Sequence, residues 1–449
     1  MRVGGLILAA LLLTACGPTT QAVITPTPRQ SVLMPPPASV AVPTAPVPTV
    51  EAGTSNGSTP ISLGSPPPGE PAPTLGGTIL DGWQAAADFP TVGAFEVTSV
   101  TADPAGLVAV GFKAYGDEGF YGRHQGVVWR SPDGRSWTVS EDAAFNFVTL
   151  EDVASLGDAL YAFGTLETCD LMSTDECLEP PDAGWGIWRS VAGGAWERLP
   201  AIASMQSGTV DGVTVANDTL LAYGWSGDES QEARVWLSTD GSTWTETSSL
   251  GGMDTISAVV GTPAGVTAFG TRYSDEVGDL VLLGASSSDG VNFSPGSVPE
   301  LLATTIQSVA LGPNGLVAVG DSDDLELGFT GIALQSSDGS SWTQSSDASS
   351  VFGGATLLSV HGVSNGYLAL GYTPTDDFAI ATGSSWFSPD GVTWHATGDL
   401  PTTFSQMTTT TVAGPSVVAF TTLDEGFEEE DVTSTVQAWF APTESVTTP

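Results

Sequence analysis

Leu316-Val317-Ala318-Val319-Gly320 is a short apolar segment closed by glycine, and the chain carries seven segments of this kind. The other six lie at 106–111, 160–164, 220–224, 266–270, 367–371 and 417–421, the last ending in threonine instead of glycine. Short apolar runs bounded by turn residues indicate β-strands. Because the copies recur every 46 to 60 residues, the spacing predicts the four-stranded blades of an all-β propeller.

A second repeated segment lies between the third and fourth strand of each predicted blade, and in the first blade it reads Ser131-Pro132-Asp133-Gly134-Arg135-Ser136-Trp137. Asp accepts hydrogen bonds from backbone amides just downstream, Gly adopts a positive φ, and the aromatic ring packs back across the sheet. We therefore expect a turn with a structural role. The residues concerned are Asp133, Asp240, Asp289, Asp338 and Asp390, with Trp137, Trp244, Phe293, Trp342 and Trp394.

A sixth copy, at 190–196, keeps Trp196 but has Ala192 in place of the acid. The pattern Ser-x-Asp-Gly-x-x-Trp resembles the Asp-box, or BNR, repeat of the sialidase-like β-propellers. The copies cover the chain from about residue 80 onward. Residues repeated in every blade cannot all belong to one catalytic centre, so the resemblance implies that the Asp-box acids hold turns.

Six hairpins and seven apolar strands leave the last blade without its outer strand. Residues 82–87 can supply it, because Trp83 occupies the position that Trp137 has in the first blade. Pairing the two chain ends closes the ring and removes an open sheet edge. We predict a seven-bladed β-propeller of four-stranded antiparallel blades over 78–443, closed by the N-terminal strand and followed by a short tail at 444–449.

The chain begins with Arg2 and an apolar run at 3–12, which is shorter than the roughly 20 residues needed to span a bilayer and is typical of a signal peptide. It ends in Leu13-Thr14-Ala15-Cys16, which resembles the lipobox of bacterial lipoproteins. The resemblance implies removal of 1–15 and acylation of Cys16. We expect a protein anchored by lipid to the extracytoplasmic side of a bacterial cell membrane. The alternative is an ordinary cleaved signal in which Cys16 is incidental.

Residues 16–77 are rich in Pro, Thr and Ser and contain nearly half of the chain's 31 prolines. Such a segment cannot form a core and stays extended. We predict a disordered stalk that holds the propeller away from the membrane.

Two further cysteines, Cys169 and Cys177, lie on one predicted loop. In an exported protein this arrangement indicates a disulfide. Metal ligation by the two thiolates is the alternative, but no Cys or His lies near enough in sequence to complete a zinc site.

The formal net charge is −41 at pH 7. About half of the 51 acidic residues fall in the connections after the second strands, which converge on the face opposite the Asp-box turns. A negative face repels nucleic acid and attracts cations or basic partners; the alternative is acidity for solubility or salt tolerance. The candidate binding residues are Asp228, Glu229, Asp275, Glu276, Asp321, Asp323, Asp324, Asp376, Asp377, Glu428 and Glu429.

Clustered carboxylates also raise the question of calcium. The segment at 321–326 begins like a calcium-binding loop, but Leu325 and Glu326 occupy positions where a ligand and a glycine belong. We expect no cofactor, with Ca²⁺ as the alternative.

Sialidases of the resembled family bind the substrate carboxylate with three arginines and use a Tyr and Glu pair. In this chain neither Arg nor Lys follows Arg272, and Arg130, Arg135 and Arg189 fall beside the Asp-box turns. Sialidase activity is therefore not expected, and no catalytic residue is assigned.

The sequence instead favours a monomeric binding or scaffolding module that recognises a protein, glycan or cation, similar to Asp-box factors that assist membrane-complex assembly. A glycosidase for neutral glycans is the alternative, because it needs only two carboxylates about 5 Å or about 6.5 to 9.5 Å apart.

Overall fold

The computed structural model consists of seven four-stranded antiparallel β-sheets. The first strands of neighbouring sheets pack against one another around a closed ring, so each sheet is one blade with its first strand innermost. The predicted seven-bladed β-propeller is confirmed. The structure describes residues 82–87, 89–90, 95–114, 124–166, 184–206, 208–227, 232–247, 250–324, 328–346, 348–375, 380–413, 416–425 and 433–442.

The signal peptide, Cys16, the stalk, Cys169, Cys177 and the tail at 444–449 lie outside these described residues.

Blade 1 consists of β2 (Phe95–Asp103), β3 (Gly106–Ala114), β4 (His124–Ser131) and β5 (Thr138–Ser140). Blade 2 consists of β6 (Val148–Leu156), β7 (Ala159–Leu166), β8 (Gly184–Val191) and β9 (Glu197–Arg198). Blade 3 consists of β10 (Gly208–Ala216), β11 (Thr219–Ser226), β12 (Glu232–Ser238) and β13 (Thr245–Glu246).

The remaining blades repeat this plan. Blade 4 consists of β14 (Thr255–Thr262), β15 (Gly265–Ser274), β16 (Asp279–Ser287) and β17 (Ser294–Pro295). Blade 5 consists of β18 (Thr304–Gly312), β19 (Gly315–Asp324), β20 (Gly328–Ser336) and β21 (Thr343–Gln344). Blade 6 consists of β22 (Thr356–Val363), β23 (Gly366–Pro374), β24 (Ala381–Ser388) and β25 (His395–Phe404). Blade 7 consists of β26 (Gln406–Ala413), β27 (Ser416–Glu425), β28 (Thr433–Pro442) and β1 (Gln84–Ala85).

Short helices occur only in connections between blades, within the part of the chain that the structure describes. They are a 3₁₀ turn (Ala143–Phe145), α1 (Ala203–Gln206) and α2 (Ala348–Phe352). Among the described residues no helix has the length and apolar character needed to cross a membrane.

The ring is closed by the two ends of the propeller, as predicted. Strand β1 pairs antiparallel with β28, placing Gln84 opposite Phe440. The backbone N–H of Ala86 continues this pairing by donating to the carbonyl oxygen of Ala438 at 2.8 Å. Trp83 is buried in one core cluster with Phe404 and residues of blades 6 and 7. The N-terminal strand thus contributes packing as well as hydrogen bonds.

In six of the seven blades a glycine closes the second strand in close contact with the first strand, and blade 7 has Thr421 at this position. A Cβ on Gly320 would lie 1.9 Å from the carbonyl oxygen of Thr305, so only glycine fits. The first strand changes register beside this contact, between Ile306 and Ser308. All seven first strands carry a β-bulge of this kind. The repeated glycine is therefore the partner of a bulge that every blade shares.

Local hydrogen bonds hold the Asp-box turns, as the copy in blade 5 illustrates. Asp338 accepts hydrogen bonds through Oδ1 from the backbone N–H groups of Ser340 at 2.8 Å and Ser341 at 3.0 Å. Gly339 has a φ of 76°, and Trp342 Nε1 donates to its carbonyl oxygen at 3.2 Å. These backbone hydrogen bonds lower the pKa of Asp338 to about 2. The carboxylate therefore acts as a charged acceptor inside a turn.

The degenerate copy in blade 2 forms its turn differently. Ala192, at the position of the acid, has a φ of 49°. The backbone N–H of Gly194 donates to the carbonyl oxygen of Val191 at 2.9 Å, and Trp196 still packs on Phe145 with ring centroids 5.3 Å apart. Backbone hydrogen bonding and a left-handed alanine replace the missing carboxylate.

Candidate functional site

The two faces of the propeller differ in the connections that they carry. The turns between first and second strands share a face with the Asp-boxes, as Asn314 illustrates by donating through Nδ2 to the carbonyl oxygen of Pro389 at 2.8 Å. Connections after the second strands leave from the opposite ends of the blades. We call this opposite side the loop face.

Five of the predicted acidic residues on the loop face are described. Asp275 and Glu276 are exposed at the tip of the β15–β16 hairpin in blade 4. Asp321, Asp323 and Asp324 belong to the end of β19 in blade 5. The remaining predicted residues, Asp228, Glu229, Asp376, Asp377, Glu428 and Glu429, lie outside the described residues.

Asp321 differs from the other described acids because it is buried. Only 9% of its surface is exposed, and Gln307 Nε2 donates a long hydrogen bond of 3.4 Å to Asp321 Oδ1. Burial, reinforced by the negative charge of Asp323, raises the pKa of Asp321 to about 6. A carboxyl group with this pKa exchanges its proton near neutral pH, as catalytic and switching acids do.

Tyr372 of blade 6 lies near enough to this carboxyl group for the two to interact electrostatically. It follows Gly371 in β23 just as Asp321 follows Gly320 in β19. Its ring is 3% exposed, and burial and the nearby Asp321 both raise the pKa of its hydroxyl. The seam between blades 5 and 6 therefore brings together a buried carboxyl group and a buried phenol, which sequence spacing alone did not pair.

The segment that resembled the start of a calcium-binding loop is part of a strand as far as the structure describes it. Asp321 pairs with Gly331 and Asp323 pairs with Phe329 in the β19–β20 ladder. Within the described ranges, no three or more His, Cys, Asp or Glu side chains are grouped so that they could hold a metal ion.

Three arginines lie beside the Asp-box turns, and His361 lies in the first strand of blade 6. Arg130 belongs to β4 and Arg189 to β8, both third strands that run into Asp-box turns. Arg135 lies over the ring of Phe440, 4.9 Å from its centroid. His361 lies in β22 with Nε2 2.9 Å from Thr410 Oγ1 of blade 7. Part of the His361 side chain remains exposed to solvent, but the residue lies deep between the blades, and this burial lowers its pKa to about 4. His361 is therefore neutral, and its hydrogen bond joins two blades.

One carboxylate that sequence reasoning missed is Asp152, on the first strand of blade 2. Its Oδ1 accepts from Ser99 Oγ of blade 1 at 2.5 Å, and its Oδ2 accepts from the backbone N–H of Val213 of blade 3 at 2.7 Å. Asp152 therefore connects three consecutive blades. No local motif marks such a residue, because its partners come from blades far along the chain.

No family model matches the chain, and no curated protein matches it in sequence. Among solved structures, YCF48 bound to a D1 peptide aligns with a TM-score of 0.48 at 13% identity, covering 83% of this chain and 99% of that one. Trypanosoma rangeli sialidase aligns with a TM-score of 0.43 at 10% identity, covering 78% of this chain but 55% of the sialidase.

Penicillium chrysogenum α-L-arabinanase, in complex with arabinobiose, aligns with a TM-score of 0.43 at 15% identity, covering 66% of this chain and 93% of that one. The TM-scores are all below 0.5 and the identities low, so these alignments report similarity and support no statement about the activity of this chain. The structural neighbours thus include sialidase-like and YCF48 propellers, together with glycoside hydrolases.

Proposed function

We propose that this protein is a membrane-anchored, extracytoplasmic binding or scaffolding module that recognises its partner through the acidic loop face. The observation that carries the proposal is the state of Asp275, Glu276 and Asp323. All three are exposed on the loop face, and the ion pairs found among the described residues do not involve them. Their charges are therefore free to attract a basic partner.

The proposal is tested by removing negative charge from the loop face in one variant and from the Asp-box face in another. Binding of poly-L-lysine to the full chain is measured by calorimetry for Asp275→Asn/Glu276→Gln. The matched control is Asp158→Asn/Asp218→Asn, which removes two exposed acids from turns on the Asp-box face. We expect the loop-face variant to bind more weakly than the control. Equal binding by the two variants would mean that only the total charge matters, as a solubility role requires.

Membrane anchoring through Cys16 is part of the proposal and has its own test. The full chain is expressed in a bacterium with a lipoprotein-processing pathway and partitioned between detergent-rich and aqueous phases. The native protein should enter the detergent-rich phase, and Cys16→Ser should remain in the aqueous phase. Equal partitioning would contradict the lipid anchor and leave the acidic-face proposal intact.

A second candidate function, hydrolysis of neutral glycans, is favoured by one observation. Asp321 carries a raised pKa of about 6 next to the exposed Asp323, and glycosidases use a protonated and an ionised carboxyl group in this way. The two residues are on the same face of β19, where alternate Cα atoms are about 6.6 Å apart. The full chain is assayed on neutral xylo- and arabino-oligosaccharides by release of reducing ends. Hydrolysis that falls by about 100-fold or more in both Asp321→Asn and Asp323→Asn would establish this function.

A further inference from the structure

Exposed apolar side chains are concentrated at one corner of the loop face. Among the described residues, six large apolar side chains are strongly exposed. Tyr273 (55%), Val277 (46%) and Leu302 (41%) all belong to blade 4 or to its connection with blade 5. The other three lie singly at the Asp-box ends of blades 2, 5 and 6, and they are Val191, Leu311 and Val392.

Backbone hydrogen bonds hold this corner together. Tyr273 pairs with Leu280 across the β15–β16 hairpin, and the N–H of Ala303 donates to the carbonyl oxygen of Leu280 at 3.0 Å. The N–H of Asp323 donates in turn to the carbonyl oxygen of Ala303 at 2.9 Å. The segment around Leu302 therefore lies between the hairpin of blade 4 and strand β19 of blade 5.

The surface has alternating chemistry. Asp275 and Glu276 lie between Tyr273 and Val277 on the hairpin, and Asp323 lies beside the segment that carries Leu302. From β15 to β19 there are three strand spacings of about 4.8 Å, or about 14 Å in all. An extended peptide covers that distance with about four residues. We call the surface formed by Tyr273, Val277, Leu302 and these three acids the blade 4–5 rim.

Backbone strain is stored at the same place. Ala303 has a φ of 46°, a left-handed conformation that costs a non-glycine residue stability. Next to it, Thr304 Oγ1 donates to the carbonyl oxygen of Leu302 at 2.8 Å. These bonds fix the strained turn while the Leu302 side chain remains exposed. Strain of this kind persists where the surrounding structure enforces it, and it clusters at binding sites.

We infer that the blade 4–5 rim is the docking surface for a short, extended, cationic segment of a partner protein that presents basic and apolar side chains together on one side. This inference rests on the proposed binding function and names its partner class. The acids supply charge complementarity for Lys or Arg, and Tyr273, Val277 and Leu302 supply contacts for apolar side chains. Because an extended segment points successive side chains to opposite sides, only every second residue meets the rim, and both basic and apolar residues must occur among them.

Other ligand classes fit the rim less well. A glycan site relies on aromatic platforms, whereas two of the three apolar side chains are aliphatic. An anionic lipid surface is repelled by the three acids. A protein segment with both basic and apolar residues uses every group on the rim.

The inference is tested with the full chain and two fluorescein-labelled synthetic peptides of equal length and charge. One repeats Lys-Ser-Leu-Ser, which places lysine and leucine on the same side of an extended chain, and the other repeats Lys-Ser-Ser-Ser; fluorescence anisotropy gives their dissociation constants. We expect the lysine–leucine peptide to bind about tenfold more tightly, which corresponds to about 1.4 kcal/mol. Leu302→Ser and Tyr273→Ser should each remove most of this preference.

The matched control is Val392→Ser, which removes an equally exposed side chain from the Asp-box face and should keep the preference. Thermal unfolding of each variant checks that the fold is retained, and Tyr273→Ser, at an exposed hairpin position, remains informative if Leu302→Ser is unstable.

Equal affinities for the two peptides would overturn the inference. If Asp275→Asn/Glu276→Gln then weakens the binding of both peptides, the proposed function of the acidic face survives, but without an apolar docking site. If that variant binds both like the native chain, the proposed function fails as well.

Discussion

Trp342 and Phe269 pack edge to face between two blades, with ring centroids 4.7 Å apart and planes at 69°. Trp342 closes the Asp-box of blade 5, and Phe269 precedes the closing glycine of the second strand in blade 4. The two repeated segments of the sequence therefore meet at this seam, where the Asp-box tryptophan of one blade packs on the second strand of the preceding blade. The same contact joins Trp244 to Phe163 at 5.9 Å and Trp137 to Phe420 at 5.3 Å.

Where the second strand lacks an aromatic residue, the connection between blades supplies one. Val319 of blade 5 cannot stack on Trp394, and Phe352 of α2 lies instead 5.4 Å from it. Phe145 fills the same role for Trp196 in blade 2. Each of these five seams thus contains an aromatic pair, and such a pair contributes about 0.5 to 1.5 kcal/mol beyond the burial of its rings.

We predict that Phe269→Ala destabilises the protein by about 3 to 5 kcal/mol, because it leaves a cavity at a seam where Phe269 is fully buried. Phe269→Leu should cost less, since it refills part of the space. Urea denaturation of the full chain, followed by tryptophan fluorescence, measures both. Val277→Ala, at an exposed position, serves as the control and should change the midpoint little. Equal midpoints for Phe269→Ala and the control would contradict the role assigned to the seam.

Asp338→Ala should destabilise the protein by about 1 to 2 kcal/mol, because two backbone N–H groups lose their acceptor. Asp338 has a pKa lowered to about 2, so its stabilising effect is present above its ordinary pKa of 3.8 and is lost as pH falls from there toward 2. Denaturation midpoints at neutral and acidic pH measure this. The difference between native protein and variant should shrink on acidification. Ser337→Ala, in the variable position of the same turn, should behave like the native protein at both pH values.

Asp321→Asn should stabilise the protein above pH 6. The folded state raises the pKa of Asp321 from 3.8 to about 6, so it binds the proton more tightly than the unfolded chain does. Native stability therefore falls as pH rises from about 4 to about 6, by up to about 3 kcal/mol. Three side chains interact with the carboxyl group of Asp321, and they are Gln307, Asp323 and Tyr372. Removing the charge of Asp323 in Asp323→Asn should lower the pKa of Asp321. Melting temperatures at pH 4 and pH 8 test this, and an Asp321→Asn variant that is no more stable at pH 8 than the native chain would contradict the burial argument.

Trp83→Ala should loosen the closure between blades 6 and 7 and cost about 3 to 5 kcal/mol, since Trp83 is 7% exposed in that core. Trp83→Phe should cost less, because the Nε1 of Trp83 is buried without a hydrogen-bond partner. The rate of amide hydrogen exchange in β28 reports on this closure locally, and it should increase in Trp83→Ala. Gln84→Ala, whose side chain is exposed, is the control, and matching exchange in the two variants would argue against closure by Trp83.

Much of the fold could be predicted because the motifs are local and repeated. The seven apolar strands, the Asp-box turns and the pairing of residues 82–87 with the last blade depend on short apolar runs between turn residues, on turn chemistry and on the need to cover a sheet edge. Even the role of Asp133 and its counterparts follows from hydrogen bonds within a few residues. Repetition in the sequence therefore determined the number of blades and how the ring closes.

The tertiary structure alone decided which residues meet across blades. Asp321 became a buried acid next to Tyr372, Asp152 became a link between three blades, and Leu302 became exposed beside Asp323. Their partners lie about fifty or more residues away along the chain or on connections without a motif. Burial and electrostatic environment depend on that three-dimensional neighbourhood, whereas a local pattern records only the residues next to it.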